Sequence, residues 1–165
     1  MKKVWATIGL LALLIGCSEK EMDNEPKFTV KEAIKNNVVI QNLSDKEHEI
    51  MSGETKAEHL VPMFAFLDDV KANKESTLQI TVFPKSGEPT TSELHFISED
   101  KTVFTNNNKT FAMPTGEIEC MSIRDSNRNF TVDGCNGEYS SVFVFPFGSR
   151  EYNLAKVEYK KKSKN

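Results

Sequence analysis

This chain is poor in the residues that mark unusual architectures. Its 165 residues hold 8 glycines and 6 prolines with no Gly-x-y period, which excludes a collagen-like or low-complexity chain. There are 3 cysteines and no Cys-x-x-Cys, which removes a thioredoxin-type redox motif. The histidines, His48, His59 and His95, show neither His-x-His nor His-Glu-x-x-His spacing, so no zinc signature is present. A Gly-rich phosphate loop and a Gly-x-Ser-x-Gly elbow are also missing. No cofactor, metal or catalytic residue is therefore expected. Positive charge is not in excess either: 21 Lys and Arg face 24 Asp and Glu, for a net charge of −3. Phosphate affinity comes largely from cationic side chains, so nucleic acid is not an expected partner.

Long apolar runs are absent too. Val4 to Ile15 is apolar apart from Thr7, and as a helix it would reach only about 18 Å, short of a ~30 Å hydrocarbon core. The longest later run, Leu60 to Leu67, contains Pro62. What is present is one domain's worth of sequence, 38% hydrophobic and 27% charged.

The charges cluster at the two ends. Glu19, Glu21, Asp23 and Glu25 make an acidic start, and Lys160, Lys161, Lys162 and Lys164 a basic end. Both read as solvated termini, with electrostatic docking of the basic tail on an anionic surface as the sharper alternative. Asp125-Ser126-Asn127-Arg128-Asn129 begins like a calcium loop. Phe130 then stands where the loop needs Gly, and Asn136 where it needs Glu, so a tight turn is expected there.

The first 16 residues combine a positive start, Lys2-Lys3, with the apolar stretch and the ending Leu14-Ile15-Gly16-Cys17. This ending resembles the lipobox of bacterial lipoproteins: a branched apolar residue at −3, a small residue at −1, then Cys. The resemblance covers only the leader. It implies a signal peptide over 1–16, a diacylglyceryl group on the Cys17 thiol and an acylated new amino terminus. Two or three acyl chains make membrane anchoring stable. Ser18 after the cysteine is similar to the outer-membrane class of such lipoproteins. The implied location is the bacterial cell envelope, on the outer membrane facing the periplasm, with the bilayer as the first partner. Loss of Lys2 and Lys3 takes the net charge from −3 to −5.

Lipidation of Cys17 would leave Cys120 and Cys135 as a pair in an oxidising compartment, where a structural disulfide is expected. Residues 17–27 read as a lipidated tether, 28–160 as the folded domain and 161–165 as a basic tail.

Within the domain, short apolar runs alternate with turn clusters. Val38 to Leu43, His59 to Leu67, Thr77 to Phe83, Glu93 to Ser98, Val103-Phe104, Thr110 to Met113, Glu117 to Ile123, Phe130 to Val132, Ser141 to Phe147 and Asn153 to Tyr159 read as strands. Asn106-Asn107-Asn108 reads as a turn, and Asp45 to Glu49 as a solvated loop. Helix is favoured only around Val30 to Asn36 and Asp69 to Glu75. The pattern predicts an all-β fold, an antiparallel sandwich, immunoglobulin-like or related, of eight to ten strands.

Two runs, Met63-Phe64-Ala65-Phe66-Leu67 and Val142-Phe143-Val144-Phe145-Pro146-Phe147, are apolar on both faces. Either they are covered on both sides, or Phe64, Phe66, Phe143, Phe145 and Phe147 form an exposed patch for a partner. The disulfide-pinned loop 125–138 is the other candidate interaction surface. The expected role is a non-enzymatic binding protein of the envelope: an inhibitor, an immunity protein or an accessory subunit contacting an envelope protein. The alternatives are a periplasmic hydrolase with a loop-built site and a carrier of a small hydrophobic ligand.

Overall fold

The computed structural model describes residues 28–109, 113–126 and 129–164. The leader, Cys17 and the tether, most of the strand expected over Thr110 to Met113, and Asn127, Arg128 and Asn165 lie outside the described residues.

The chain enters through a short helix, α1 (Val30–Ala33), where Thr29 and Glu32 form a reciprocal capping box. Strand β1 (Val38–Asn42) follows, with Val38, Val39 and Ile40 all fully buried. A strand with no solvated face must be central, and β1 lies between β2 (Thr55–Glu58) and β3 (Ser76–Phe83). The β1–β3 pair is parallel. It is closed by a connection through α2 (Glu47–Ser52), β2 and α3 (Val61–Lys71), because parallel neighbours need a crossover. The remaining pairs are antiparallel. β4 (Thr90–Ser98), β5 (Lys101–Asn106) and β6 (Gly116–Cys120) extend the sheet to six strands in the order β2-β1-β3-β4-β5-β6. β7 (Ser122–Asp125), β8 (Asn129–Asp133) and β9 (Ser141–Pro146) form a second sheet of three. The chain ends in α4 (Ser149–Lys162). Two antiparallel-dominated sheets and one disulfide thus make up most of the structure, and both sheets, α3 and α4 contribute to one hydrophobic core.

The sequence pattern misassigned four segments. His59 to Leu67 is not a strand: Pro62 sits in the first turn of α3, where a missing N–H is tolerated, and the helix runs on to Lys71. It buries Met63, Phe64, Phe66 and Leu67 and packs on β1, β3 and α4. It ends as Asn73 turns to φ 50°. Asn153 to Tyr159 is not a strand either. Tyr152 and Ala155 are buried in α4 and Tyr159 is half-buried, a spacing of three and four that fits a helix better than alternation. Asp45 to Glu49 is not a plain loop, since α2 begins at Glu47 and buries Ile50. Glu117 to Ile123, expected as one strand, is two, and the chain changes sheet at Met121.

The phenylalanine patch is corrected as well. Phe64, Phe66, Phe145 and Phe147 are buried and Phe143 is half-buried, so they do not form a docking surface. The four buried ones belong to a chain of rings: Phe66 to Phe130 (6.4 Å), Phe130 to Phe145 (5.5 Å), Phe145 to Phe147 (5.6 Å), Phe147 to Tyr152 (5.4 Å) and Tyr152 to Phe64 (5.1 Å). Each ring carries a large apolar area, and tilted or offset contacts add to its burial. These rings join α3, the small sheet and α4.

Candidate functional site

The surface feature best defined by its surroundings lies along β6, where the large sheet ends. Cys120 and Cys135 are bonded, as expected, and this pins the segment after β8 against β6. The backbone completes the attachment. The Asn136 N–H donates to the Glu119 carbonyl at 2.9 Å, the Met121 N–H to Asp133 at 3.0 Å, and the Gly134 N–H to Ser140 at 2.8 Å. Gly134 has φ 66°, and a Cβ there would lie 3.1 Å from the Met121 side chain, so the turn needs glycine.

Between β6 and this loop runs a cleft of about 460 Å³. Ile118 lies along it, nearly buried, and Tyr139 stands 43% exposed. Glu117, Glu119 and Glu138 line it. Lys101 holds Glu119 at 2.9 Å. The opposite end, Pro114 and Thr115, is set by the asparagine turn: Asn106 Nδ2 donates to the Pro114 carbonyl at 2.9 Å, and Ser92 donates to Asn106 Oδ1 at 3.2 Å. The cleft is acidic, partly apolar and bounded by an edge strand. Such a surface suits an extended, basic segment of another protein.

A second feature is electrostatic. Asp125, at the end of β7, accepts a 2.8 Å hydrogen bond from the Tyr152 hydroxyl through Oδ2. Its Oδ1 is buried with no hydrogen-bonding partner among the described residues. Burial pushes the Asp125 carboxyl above its ordinary range, against the opposing pull of the Tyr152 bond, Lys156 and Lys71. The same burial and the bond to Asp125 push the Tyr152 hydroxyl up to about 12, so it remains a donor at ordinary pH. Lys156 Nζ lies 5.4 Å from the centre of the Tyr152 ring.

The calcium-like stretch is a turn at its described positions. Ser126 and Asn129 bond each other through backbone and side chain, and Asp125 is taken up by Tyr152. The histidines are dispersed. His48 is exposed on α2, and His95 meets Glu75 at 2.8 Å. His59 sits half-buried at φ 56°, its imidazole held below its usual range by burial and by Lys162. Among the described residues no group of three or more His, Cys, Asp or Glu side chains is placed to hold a metal ion. No helix there is long and apolar enough to cross a membrane.

The sequence marks the 125–138 loop and its Cys120–Cys135 tie to the strand that carries Glu117 and Glu119, but not the cleft, because the placing of Glu138 and Tyr139 depends on how the chain turns after Cys135. Comparison of the chain with protein-family models, with curated proteins and with solved structures finds no match.

Proposed function

We propose that this protein is a bacterial lipoprotein, anchored in the cell envelope through acylated Cys17, that acts by binding another envelope protein. The location follows from the resemblance of Leu14-Ile15-Gly16-Cys17 to a lipobox, and from Ser18 for the outer membrane facing the periplasm. The two sheets share one core, and we read their stacking as a sandwich related to the immunoglobulin-like folds, with α3 and α4 completing the core. The observation that supports binding is the acidic cleft whose one wall is fastened to β6 by the Cys120–Cys135 bond. A pre-shaped site loses little conformational entropy when a partner arrives. Its occupant is a basic, extended segment of an envelope protein, held by Glu117 and Glu138 and by the ring of Tyr139.

The test is recovery of partners with the acylated protein from its own envelope. One stoichiometric protein is expected with the wild type, and its loss with Glu117→Lys/Glu138→Lys and with Tyr139→Ala. Retention of that protein by all of these variants would overturn the cleft as the site. Turnover of an envelope substrate with no protein recovered would overturn the binding role. The hydrolytic alternative has one foothold, the half-buried Asp125 carboxyl, and requires Asp125→Asn to abolish such turnover.

A further inference from the structure

Helix α4 is packed through Tyr152, Ala155 and Tyr159. At 3.6 residues per turn, the side chains within about 50° of the opposite direction are Arg150, Leu154, Val157, Lys161 and, continuing the same rotation just past the helix end, Lys164. Leu154 is 62% and Val157 53% exposed, large fractions for apolar side chains on one helix. The crest holds no acidic residue. The nearest exposed acid, Glu158, lies to its side and is paired with Lys162 at 2.8 Å. Lys160 flanks the crest and is exposed, whereas Lys162, also exposed, lies on the side of the helix nearer its packed face. Val157 is thus set beside Lys160 and Lys161, and Leu154 lies between Arg150 and Val157 on one side and Glu151 and Glu158, with which it lines a shallow pocket, on the other, on a helix anchored by its opposite face.

We propose that this crest of α4 lies on an anionic lipid surface, with Leu154 and Val157 entering the headgroup region and Arg150, Lys161 and Lys164 meeting lipid phosphates. Charge complementarity selects this occupant, since each cation near an anionic bilayer adds to binding and a shallow apolar contact secures the depth. The proposal rests on the anchored-lipoprotein reading for the nearness of a bilayer and deepens it. A lipid-anchored body without such a contact can swing on its tether, whereas one lying on α4 is held in one orientation.

The experiment uses the acylated protein, which begins at Cys17, carrying Leu154→Trp; the sequence's one native tryptophan, Trp5, lies in the leader, so the introduced indole on the crest is the only one present. It is reconstituted on vesicles of phosphatidylcholine, alone or with phosphatidylglycerol, with and without brominated acyl chains. Vesicle flotation reads the anchor, and tryptophan emission reads the crest. The expected result is flotation on both lipids, with a blue shift and quenching only on the anionic ones. Arg150→Glu/Lys161→Glu/Lys164→Glu should then reduce quenching about tenfold while flotation persists, and raised salt should act in the same direction.

Flotation without quenching on anionic vesicles would overturn the proposal and leave the anchor standing. Equal quenching on neutral lipid would overturn its electrostatic basis. A blue shift that grows with protein concentration without vesicles assigns the crest to a second copy, and one produced by DNA alone assigns it to nucleic acid; either overturns it. If the protein does not float on neutral lipid, the anchor reading fails. A titration with excess anionic lipid then still decides the crest: a saturating shift supports the proposal and its absence overturns it.

Discussion

At the residue scale, the aromatic side chains decide how the interior is held. Phe66 and Phe145 are among the largest fully buried side chains. Truncation of either to Ala is expected to cost about 3–5 kcal/mol, the range for a buried phenylalanine. Urea denaturation followed by circular dichroism would check this, and a loss under about 1 kcal/mol would mean that the rings are not core. Their burial was half legible in the sequence. Both runs are visibly apolar on both faces, but a string of letters does not show what stands on the second face. Asp125 was not legible at all, because its neighbour Tyr152 is 27 positions away.

The Asp125 carboxyl is raised, so between its unfolded and folded values the native state holds more protons than the unfolded one. Stability contributed by this residue is therefore present below that window and is lost as pH rises through it. Asp125→Asn keeps an acceptor for Tyr152 and removes the titration. Its melting temperature relative to wild type should rise from about pH 4 to about pH 7, and a constant difference would refute the assignment.

At the element scale, the disulfide organises the cleft. Cys120 and Cys135 are 15 positions apart, and closing a loop of this size stabilises by about 3 kcal/mol in the chain-entropy account. Cys120→Ser/Cys135→Ser is expected to lower stability by about that amount and to weaken partner binding. Denaturation compared with and without reductant, which should leave the double variant unchanged, checks the first effect. Strands with clean alternation, such as β3 and β6, were legible from their letters, as was α1, but α2, most of α3 and α4 were not. In α4, Ala155 and Tyr159 are four apart and satisfy both periods, and only Tyr152 at the helical spacing breaks the tie. In α3, Pro62 reads as a helix-breaker until the helix start places it in the first turn. The parallel partnership of β1 and β3 is likewise invisible in sequence, because pairing across a crossover leaves no local mark.

At the scale of the whole molecule, several carboxylates set the acid limit. Hydrogen bonds from Ser44 and Lys46 hold Glu49 below its ordinary range. Lys56 and Gln41 do so for Glu58, Lys74 and Ser76 for Asp69, and Lys162 for Glu158. Groups lowered in the folded state add stability above their unfolded values and lose it as pH falls through their folded ones. Stability should therefore decline together below the ordinary carboxylate range, opposite in sign to the Asp125 effect at higher pH. A series of melting temperatures from about pH 2 to about pH 7 would check it.

Under the proposed anchoring through Cys17, the position of β1 has a mechanical consequence. Any pull delivered from the amino-terminal side meets Phe28, stacked on Phe83 of β3 at 6.4 Å, then passes through α1 and arrives at a strand clasped on both edges. Load directed along that strand is shared by two ladders at once and cannot peel one edge open bond by bond. The fold thus receives tension at a strand held along both of its edges.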